Sequence, residues 1–303
     1  MTFKSGFISF VGRPNVGKST LTNALVGEKI AIVSDRPQTT RRLIRGIVHR
    51  PSGQIVVLDT PGMHKPKTLL GERLNDLVIA SLSEVDAVGI CFPATESTGT
   101  GDKFILQQVL NVNKNVFLVI TKTDAANPSQ IAERITDAMA LENEFQFSWR
   151  FVVPVSPIDG TNINELESEI IDILPEGPAL YSDGQLTNQP ERELVAELIR
   201  EAALQDLREE LPHSVTVLVE EMNLREGREG AKPLMDIFAD IHVERDSQKA
   251  IVIGKQGAQL RAIGTQARLR IEKLLGMRVH LNLHVRVSPN WQSDPKYLGK
   301  LGF

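Results

Sequence analysis

The stretch "FVGRPNVGKST", Phe10 to Thr20, decides how this chain begins to fold. An apolar run precedes its first glycine, and the periodic segment "LTNALVG" follows it, so the pattern predicts a strand, a tight loop and a helix. Gly12 to Ser19 matches G-x-x-x-x-G-K-[ST], the pattern of a phosphate-binding loop. Glycines let successive backbone N–H groups turn toward one anion, and the following helix presents its positive end there. Phosphate binding is therefore favoured over a chance match in a glycine-rich turn.

Individual roles follow from the same loop. Lys18 is predicted to reach the outer phosphates, and Ser19 to ligate Mg²⁺. Asn15 has two interpretations, a ligand for K⁺ that acts in place of an arginine finger, or a residue that braces the loop. The predicted nucleotide contacts of the loop are Gly12, Arg13, Pro14, Asn15, Val16, Gly17, Lys18, Ser19 and Thr20. The loop alone does not distinguish ATP from GTP.

Composition describes an ordinary globular protein. The chain has 303 residues, enough for two domains, with 41% apolar and 24% charged residues. The sequence has no signal-peptide pattern and no run of 18 apolar residues, so we expect a cytoplasmic protein that does not span a membrane. The single cysteine, Cys91, excludes an intramolecular disulfide and fits a reducing cytosol. Its apolar surroundings, "AVGICF", predict a buried strand residue.

The order of apolar runs indicates two domains. Up to about residue 175, strand-like runs alternate with helical segments, which predicts a mostly parallel sheet with helices on both faces. The segment "PEGPALYSDGQLTNQP" is rich in Pro, Gly, Ser and Asn. We therefore predict an α/β domain over residues 1–176, a linker over 177–190 and an α+β domain over 191–303.

The second domain is predicted to begin with an amphipathic helix from Glu191 to about Glu209. The segments "HSVTVLVEEM" and "PLMDIFADIHVER" alternate apolar and polar residues and predict antiparallel strands, joined by the charged loop "NLREGREGAK". A helix is predicted from about Ala258 to Leu275, and "RVHLNLHVRV" predicts a closing strand. Pattern alone does not distinguish helix from strand for "QKAIVI".

Charge is distributed unevenly along the chain. The net charge of −4 combines +8 over residues 247–303 with −12 over the remainder. This acidic body with a basic end favours a polyanionic partner for the basic segment. The alternative is that the basic residues only form solvent-exposed faces of helices.

A second nucleotide motif lies in "VVLDTPGM". Asp59 ends an apolar run, where a carboxylate of the Walker-B type would hold Mg²⁺, and the Gly62 amide is positioned to sense a γ-phosphate. The predicted nucleotide-contacting residues here are Asp59, Thr60, Pro61, Gly62 and Met63. Met63 stands where a Ras-like enzyme has the glutamine that orients water, so hydrolysis must depend on backbone groups or on a charge supplied by a partner.

A third motif, "VITKTD", follows another apolar run. Guanine-specific GTPases carry Asn-Lys-x-Asp here, and the Asp accepts from guanine N1–H and the exocyclic amine. Asp124 fits that role, and Lys122 is expected to lay its stem along the base. The base-contacting residues are predicted to be Thr121, Lys122, Thr123, Asp124 and, from "PVSPIDG", Ser156. Three motifs in this order strongly favour GTP.

Two residues depart from that pattern. Thr121 lacks the amide that normally braces the base loop against the phosphate loop, so we expect weaker or faster-exchanging nucleotide. Pro157 replaces an alanine whose N–H donates to guanine O6, and proline has no N–H. Either another amide serves, such as that of Ile158, or the contact is lost.

The segment "SDRPQTTRRLIRG", Ser34 to Gly46, shows neither strand nor helix periodicity. We expect it to be ordered by a γ-phosphate and Mg²⁺. Thr40 is the predicted hydroxyl ligand of Mg²⁺, with Thr39 as the alternative. The predicted metal ligands are thus Ser19, Thr40 and Asp59, and the predicted catalytic residues are Lys18, Thr40 and Gly62. His64 is expected to be an exposed loop residue without a role.

Together, "GRPNVGKST", "QTTRR", "DTPGMHKP", "TKTD" and "VSPIDG" resemble the Era family of bacterial GTPases. "PERELVAELIREAALQDLREELPHSV" resembles the family's interdomain connection, and "IVIGKQGAQLRAIG" its type II KH domain. The resemblance covers nearly the whole chain. It implies a P-loop GTPase domain followed by a KH domain, with GTP, GDP and Mg²⁺ as ligands, and it implies that "QKAIVI" is a short helix.

The residues of the second domain agree with that resemblance. Gly254, Lys255, Gln256 and Gly257 form a G-x-x-G turn, which in KH domains clamps the backbone of single-stranded RNA. It precedes a helix that bears Arg261, Arg268 and Arg270. The predicted RNA-binding residues are Gly254, Lys255, Gln256, Gly257, Arg261 and Arg268.

The resemblance further implies a partner, the 3′ end of small-subunit ribosomal RNA in the immature 30S subunit. Trp291 has two interpretations, stacking on a base or packing of the tail. Ser288, Pro289 and Gln292 stand where the family tends to be basic, so RNA contacts near the tail are expected to be fewer. We expect a mostly monomeric cytoplasmic protein. The family implies that it also associates peripherally with the inner face of the membrane, although no amphipathic basic helix supports membrane association here.

The sequence therefore predicts a slow GTPase that couples GTP hydrolysis to RNA binding during 30S maturation. Two alternatives stay open. One is an RNA chaperone that senses GTP with negligible turnover, and the other is a GTPase of a different RNA or membrane process.

Overall fold

A computed structural model of the chain describes residues 2–34, 39–63, 66–206, 214–225 and 233–303. These residues divide into two compact units. The first unit comprises Met1–Lys67 and Gly71–Asn188, and the second comprises Thr68–Leu70 and Gln189–Phe303. None of the helices in the described ranges has the length and apolarity needed to cross a bilayer.

The first unit is an α/β structure. Its strands are β1 (Lys4–Val11), β2 (Ile44–Arg50), β3 (Gly53–Asp59), β4 (Ala87–Pro93), β5 (Val116–Thr121) and β6 (Val152–Pro154). They form one sheet in the order β2-β3-β1-β4-β5-β6, in which the β2–β3 pair is antiparallel and the other pairs are parallel. The helices are α1 (Lys18–Val26), α2 (Leu69–Leu82), α3 (Thr100–Val112), α4 (Pro128–Phe145) and α5 (Ile163–Ile173).

Two apolar clusters, one on each face of the sheet, hold the helices in place. One cluster joins Leu21 of α1 to Ile170 of α5. The opposite cluster joins Val78 of α2, Leu106 of α3 and Leu141 of α4. Burial of these apolar stripes fixes helices on both faces of a mostly parallel sheet, which confirms the predicted fold class.

The carboxyl ends of the strands meet along one edge of the sheet. Phe10 of β1 lies opposite Asp59 of β3, and Pro93 of β4 lies opposite Thr121 of β5. Loops that follow these strands therefore converge at one edge, where open α/β sheets bind their ligands. Cys91 is buried in β4 as predicted, and burial raises the pKa of its thiol to about 12.

Strand β2 corrects one expectation from the sequence. The segment Ser34 to Gly46 was expected to lack regular structure, but its last residues begin β2 at Ile44. Ile44 pairs with Asp59 across an antiparallel ladder, and its side chain is buried. Long-range pairing with β3 creates this strand, so the local pattern could not reveal it. Residues 35–38 lie outside the described residues.

The segment predicted as a linker forms hydrogen bonds with the first unit. Gln54, which is buried, accepts the N–H groups of Leu180 and Tyr181 at 2.7 and 2.9 Å. Its amide nitrogen donates to the Tyr181 carbonyl at 2.9 Å. The Ile47 N–H of β2 donates to the Leu186 carbonyl at 2.9 Å. The chain therefore runs along the outer edge of β2 before the second unit begins, and the predicted boundaries at 176 and 190 stay a prediction.

The second unit is an α+β structure, as predicted. Its elements are α6 (Glu191–Asp206), β7 (Thr216–Arg225), β8 (Leu234–Val243), α7 (Asp246–Ile253), α8 (Ala258–Leu275), β9 (Arg278–Val287) and α9 (Pro295–Leu301). The sheet has the order β7-β8-β9 and packs its apolar face against helices. Strands β7 and β8 are antiparallel as predicted, and β9 runs parallel to β8.

Helix α7 contains the segment "QKAIVI", so the helix implied by the family resemblance is confirmed. The predicted end of the first helix of this unit and most of the charged loop between β7 and β8 lie outside the described residues.

The tail packs onto the second unit through Trp291. Its ring is fully buried, its Nε1 donates to the Ser214 carbonyl at 2.9 Å, and it stacks on Phe303 at a centroid distance of 6.2 Å. Of the two interpretations of Trp291, packing of the tail is the one found. Ser288 is also buried, with its hydroxyl 2.9 Å from His242 Nδ1.

Candidate functional site

The phosphate-binding loop connects β1 to α1 through left-handed backbone. Asn15 has φ 65° and Gly17 has φ 99°, which turns the chain sharply before the first turn of α1. A Cβ on Gly12 would lie 2.8 Å from the Cys91 carbonyl oxygen, so only glycine fits against β4. The loop borders a cavity of about 780 Å³ at the carboxyl edge of the sheet. Backbone N–H groups and a helix N-terminus together suit a bound phosphate.

The cavity brings together residues from all three predicted motifs. The predicted residues that line it are Pro14, Asn15, Gly17, Lys18, Ser19, Thr20, Thr40, Gly62, Thr121, Lys122 and Asp124. Other predicted residues are not among the lining residues in the described part of the chain, namely Gly12, Arg13, Val16, Asp59, Thr60, Pro61, Met63, Thr123 and Ser156. The cavity is also lined by residues that were not predicted to contact a nucleotide, namely Ile32, Val33, Ser34, Glu96 and Ala125. These residues carry no motif of their own.

Lys18 is buried beneath the loop. Its Nζ donates to the carbonyls of Gly12 at 3.1 Å and Arg13 at 3.0 Å. Burial lowers the pKa of the Lys18 ammonium, while the nearby Asp59 carboxylate opposes that shift. The ammonium is therefore positioned to form charge-assisted hydrogen bonds with anionic oxygens that enter the cavity.

The three predicted metal ligands bring their oxygen atoms together in one cluster. Ser19 Oγ donates to Asp59 Oδ2 at 2.7 Å, and Thr40 Oγ1 lies 2.8 Å from Ser19 Oγ. Within the described ranges, the buried Asp59 Oδ1 has no hydrogen-bond partner. Two hydroxyls and a buried carboxylate are the hard oxygen donors that Mg²⁺ prefers, so these residues fit the ion. Thr39 instead hydrogen-bonds the Ser34 carbonyl at 3.4 Å, so the geometry favours Thr40 as the ligand.

The segment after β3 lies against the phosphate loop. Thr60 Oγ1 donates to a carbonyl near the end of β1 at 2.9 Å, which ties the two strands together. A Cβ on Gly62 would lie 3.1 Å from Pro14 backbone atoms, so Gly62 is close to the loop. Met63 is buried in the apolar cluster and offers no polar group to water. His64 lies outside the described residues.

One end of the cavity is lined by the loops after β5 and β6, and we call it the base end because the base is predicted to bind there. Lys122 adopts φ 59°, and the short 3₁₀ turn Thr123–Ala125 then carries Asp124. Ser156 is buried, and its Oγ donates to Asp124 Oδ1 at 2.9 Å. The carboxylate that is predicted to select guanine is thus oriented by the serine that was predicted to help it.

Thr121 corrects the expectation that the brace between the base loop and the phosphate loop is missing. Its Oγ1 donates to the Val16 carbonyl at 2.5 Å, and both residues are buried. The short threonine side chain at the end of β5 reaches the phosphate loop because the loop lies close to Thr121 at Gly17. The sequence shows that the amide is lost, but not that a hydroxyl at this position reaches the same loop.

The Arg13 side chain anchors the phosphate loop through two acidic residues. Its Nε donates to Asp102 Oδ1 at 2.7 Å, and its Nη2 to Glu96 Oε2 at 3.0 Å. Asp102 is buried and also accepts the Gly99 N–H at 2.9 Å, at the start of α3. The side chain of Arg13 therefore positions the loop, and a nucleotide contact of this residue stays a prediction for its backbone. No sequence signal links Arg13 to acidic residues so far along the chain.

The G-x-x-G turn of the second unit lies between α7 and α8. Gly254, Gln256 and Gly257 all have positive φ, at 70°, 52° and 76°. A Cβ on Gly254 would lie 2.7 Å from that of Gln259, whereas a Cβ on Gly257 would meet open space. Gly257 therefore leaves room for a close approach to the N-terminus of α8.

A groove of about 370 Å³ runs beside this turn. Arg261 and Arg268 are exposed, which suits phosphate contacts along an apolar floor. Arg270 is different, because its Nη1 donates to the buried Glu201 at 2.7 Å, and it thus joins α8 to α6. The lining of the groove comprises Gly257, Leu260, Arg261, Gly264, Thr265, Arg268, Leu281 and Leu283.

The Thr121 contact predicts an effect on nucleotide release. Thr121→Val removes the hydroxyl at nearly constant shape and leaves the Val16 carbonyl unsatisfied, so we expect release of a fluorescent GDP analogue to accelerate about five- to tenfold. Thr121→Asn should retain a donor and release more slowly than the valine variant. Stopped-flow displacement measures both. Thr136→Val, at an exposed position of α4, is the control, and a Thr121→Val rate equal to that of the parent protein would contradict the brace.

Burial of Asp59 predicts a pH-dependent cost to stability. Burial raises the pKa of this carboxyl to about 6 from its ordinary 3.8, against the hydrogen bond from Ser19 and the charge of Lys18. The folded protein therefore holds this proton more tightly than the unfolded chain does, and stability falls as pH rises from about 4 to about 6. Asp59→Asn should raise the free energy of unfolding at neutral pH by on the order of 3 kcal/mol.

Denaturant unfolding in EDTA, without nucleotide, measures this difference. The gain from Asp59→Asn should vanish below about pH 4, where the parent carboxyl is protonated in both states. Asp76→Asn, at an exposed position of α2, is the control and should change stability little at either pH. The same gain for Asp59→Asn at both pH values would contradict the assignment of the cost to a buried charge.

Comparisons with known proteins agree with this geometry. Residues 7–122 match a family model described as a 50S ribosome-binding GTPase, and residues 210–292 match one described as a KH domain. GTPase Era of Nocardioides sp. is 58% identical over 99% of this chain and 96% of its own length. GTPase Era of Mycolicibacterium smegmatis is 53% identical over 99% of both chains.

Two solved structures share the whole fold. One is Era in complex with MgGDPNP and nucleotides 1506–1542 of 16S ribosomal RNA, and the other is an Aquifex aeolicus Era variant bound to GDP and AlF4⁻. Each is 36% identical to this chain, covers 99% of both chains and superposes with a TM-score of 0.92. High identity over the full length, with a phosphate loop and a KH turn in one chain, shows that this chain belongs to the Era family of GTPases.

Proposed function

We propose that this protein binds and hydrolyses GTP with Mg²⁺, and that its KH domain binds the 3′ end of small-subunit ribosomal RNA during maturation of the 30S subunit. The observation that carries the proposal is the presence of two sites for polyanions in one chain. The first is a deep cavity with Lys18 and Ser19 at its phosphate end, and the second is a shallow groove bordered by Arg261 and Arg268. The Era complex with MgGDPNP and 16S RNA supports the same pairing of ligands.

The nucleotide roles follow the geometry of the cavity. When nucleotide binds, the Lys18 ammonium donates to phosphate oxygens in place of the loop carbonyls. Ser19, Thr40 and Asp59 would hold Mg²⁺, which would neutralise part of the phosphate charge. Asp124, held by Ser156, accepts the donors on the edge of guanine.

Hydrolysis is proposed to be slow because the water-orienting position holds Met63. That side chain is buried in the apolar cluster, so the attacking water must depend on backbone groups or on a charge supplied by a partner. The proposal includes K⁺ near Asn15 as a further source of positive charge. A GTP-sensing RNA chaperone with negligible turnover is the second candidate function, and the burial of Met63 is the observation that favours it.

RNA binding is proposed to follow the mode of KH domains. The backbone of a single strand approaches Gly257, where no side chain intervenes, and its phosphates meet Lys255 and Arg261. Bases lie over the apolar floor that Leu281 and Leu283 contribute.

We propose a cytoplasmic protein that is mostly monomeric and that associates peripherally with the inner face of the cell membrane. Size-exclusion chromatography tests the monomeric state, and fractionation of cells tests the location.

Charge reversal at the two ends of α8 tests the RNA part. Arg261→Glu, near the start of the helix and beside the groove, should weaken binding of a small-subunit 3′-end oligonucleotide at least tenfold, because it removes one phosphate contact and adds repulsion. Lys273→Glu makes the same charge change in the last turn, and should have a much smaller effect. Fluorescence anisotropy at fixed salt measures both. Equal losses would indicate a diffuse electrostatic effect and would contradict the groove as the binding site.

A change of base preference in a variant of Asp124 tests the proposed recognition of guanine. Asp124→Asn should lose affinity for GDP and gain affinity for xanthosine diphosphate, because the amide donates to the oxygen that xanthine carries. Binding of the RNA oligonucleotide by this variant should stay within about twofold of the parent value. Unchanged GDP affinity would contradict the role of Asp124.

A further inference from the structure

The loop from Ser156 to Thr161 borders the base end of the cavity, where its second residue is a proline. Pro157 and Ile158 line the cavity together with Lys122 and Asp124. Guanine presents the O6 acceptor beside the N1–H and amine donors, so its recognition calls for an N–H next to a carboxylate. Pro157 has no N–H to offer.

The other amides of this loop are engaged within it. The Ser156 N–H donates to the Thr161 carbonyl at 3.2 Å, and the Gly160 N–H donates to the Ser156 carbonyl at 3.0 Å. The Asp159 N–H donates to Ser156 Oγ at 3.4 Å. The Thr161 N–H donates to Asp159 Oδ1 at 3.0 Å. These bonds close the loop and occupy the N–H groups of Ser156, Asp159, Gly160 and Thr161 within it.

The Ile158 N–H is the exception in this loop. Within the described part of the chain, it donates to no protein acceptor. Ser156 anchors the backbone beside Ile158 and also anchors Asp124, because its hydroxyl donates to the Asp124 carboxylate and accepts from the residue after Ile158. The Ser156 hydroxyl therefore positions both the Asp124 carboxylate and the backbone next to the Ile158 N–H, on the same side of the cavity.

We propose that the Ile158 N–H reads guanine O6 in this protein, one residue later than the amide that proline has removed. This inference rests on the proposed placement of guanine at Asp124. Ile158 is 76% exposed, so its side chain contributes little to the core, and the backbone at this position carries the specificity. A site built around one donor rejects a base that cannot accept from it.

Two base analogues separate the two contacts. In 6-thio-GDP a sulfur that accepts hydrogen bonds weakly replaces O6, whereas inosine diphosphate keeps O6 and lacks the amine that Asp124 binds. The parent protein should prefer GDP over 6-thio-GDP by about five- to tenfold, as expected for one hydrogen bond. Ile158→Pro should reduce this preference to near unity, and Ile158→Ala should keep it. The preference for GDP over inosine diphosphate should be the same in all three proteins.

NMR of the parent protein tests the same contact if the Ile158→Pro variant does not fold. In protein labelled with ¹⁵N-isoleucine, the Ile158 amide proton should move downfield when GDP binds, and less when 6-thio-GDP binds. An equal shift with both nucleotides, or an Ile158→Pro variant that keeps the preference for GDP over 6-thio-GDP, would overturn the inference. Loss of discrimination against inosine diphosphate in the parent protein would instead overturn the placement of guanine at Asp124.

Discussion

The buried carboxylate of Asp59 is the constraint around which the nucleotide site is organised. It ends β3 opposite Phe10, is fully buried, and holds Ser19 of α1 and Thr40 in one oxygen cluster. Burial of a charge lowers stability unless an opposite charge compensates it. Lys18 supplies part of that compensation, and a divalent cation coordinated by the same oxygens would supply the rest. The site therefore destabilises the empty protein and favours the bound state.

The phosphate-binding loop and the G-x-x-G turn share one backbone feature. In each, residues with positive φ lie within the last three positions before a helix, Asn15 and Gly17 in one unit and Gln256 and Gly257 in the other. Each turn aims N–H groups and a helix N-terminus at one point, which suits phosphate. The surroundings then differ, since the first turn borders a deep cavity with a buried lysine and the second a shallow groove with exposed arginines. A compact nucleotide fits the first arrangement and an extended RNA strand the second.

Much of the site could be predicted from the sequence because its motifs are local. Asp59 is the last residue of an apolar strand, and the phosphate loop and Asp124 each come shortly after one. The carboxyl ends of those strands meet at one edge. The contacts that were missed join residues far apart in sequence, such as Arg13 and Asp102. Strand β2 likewise depends on its partner β3 rather than on its own pattern. Thr121 illustrates a different difficulty. The sequence shows that threonine lacks the amide of asparagine, but only the structure shows that the shorter threonine hydroxyl still reaches the Val16 carbonyl.

In the proposed function, one chain couples GTP turnover to recognition of RNA. This coupling can be tested by measuring GTP hydrolysis by the purified protein in potassium or sodium buffer, with the small-subunit 3′-end oligonucleotide or a scrambled sequence of equal length. We expect the 3′-end oligonucleotide to raise turnover, the scrambled sequence to leave it unchanged, and potassium to raise turnover further. Equal turnover with both oligonucleotides, while the 3′-end sequence is bound, would contradict the coupling.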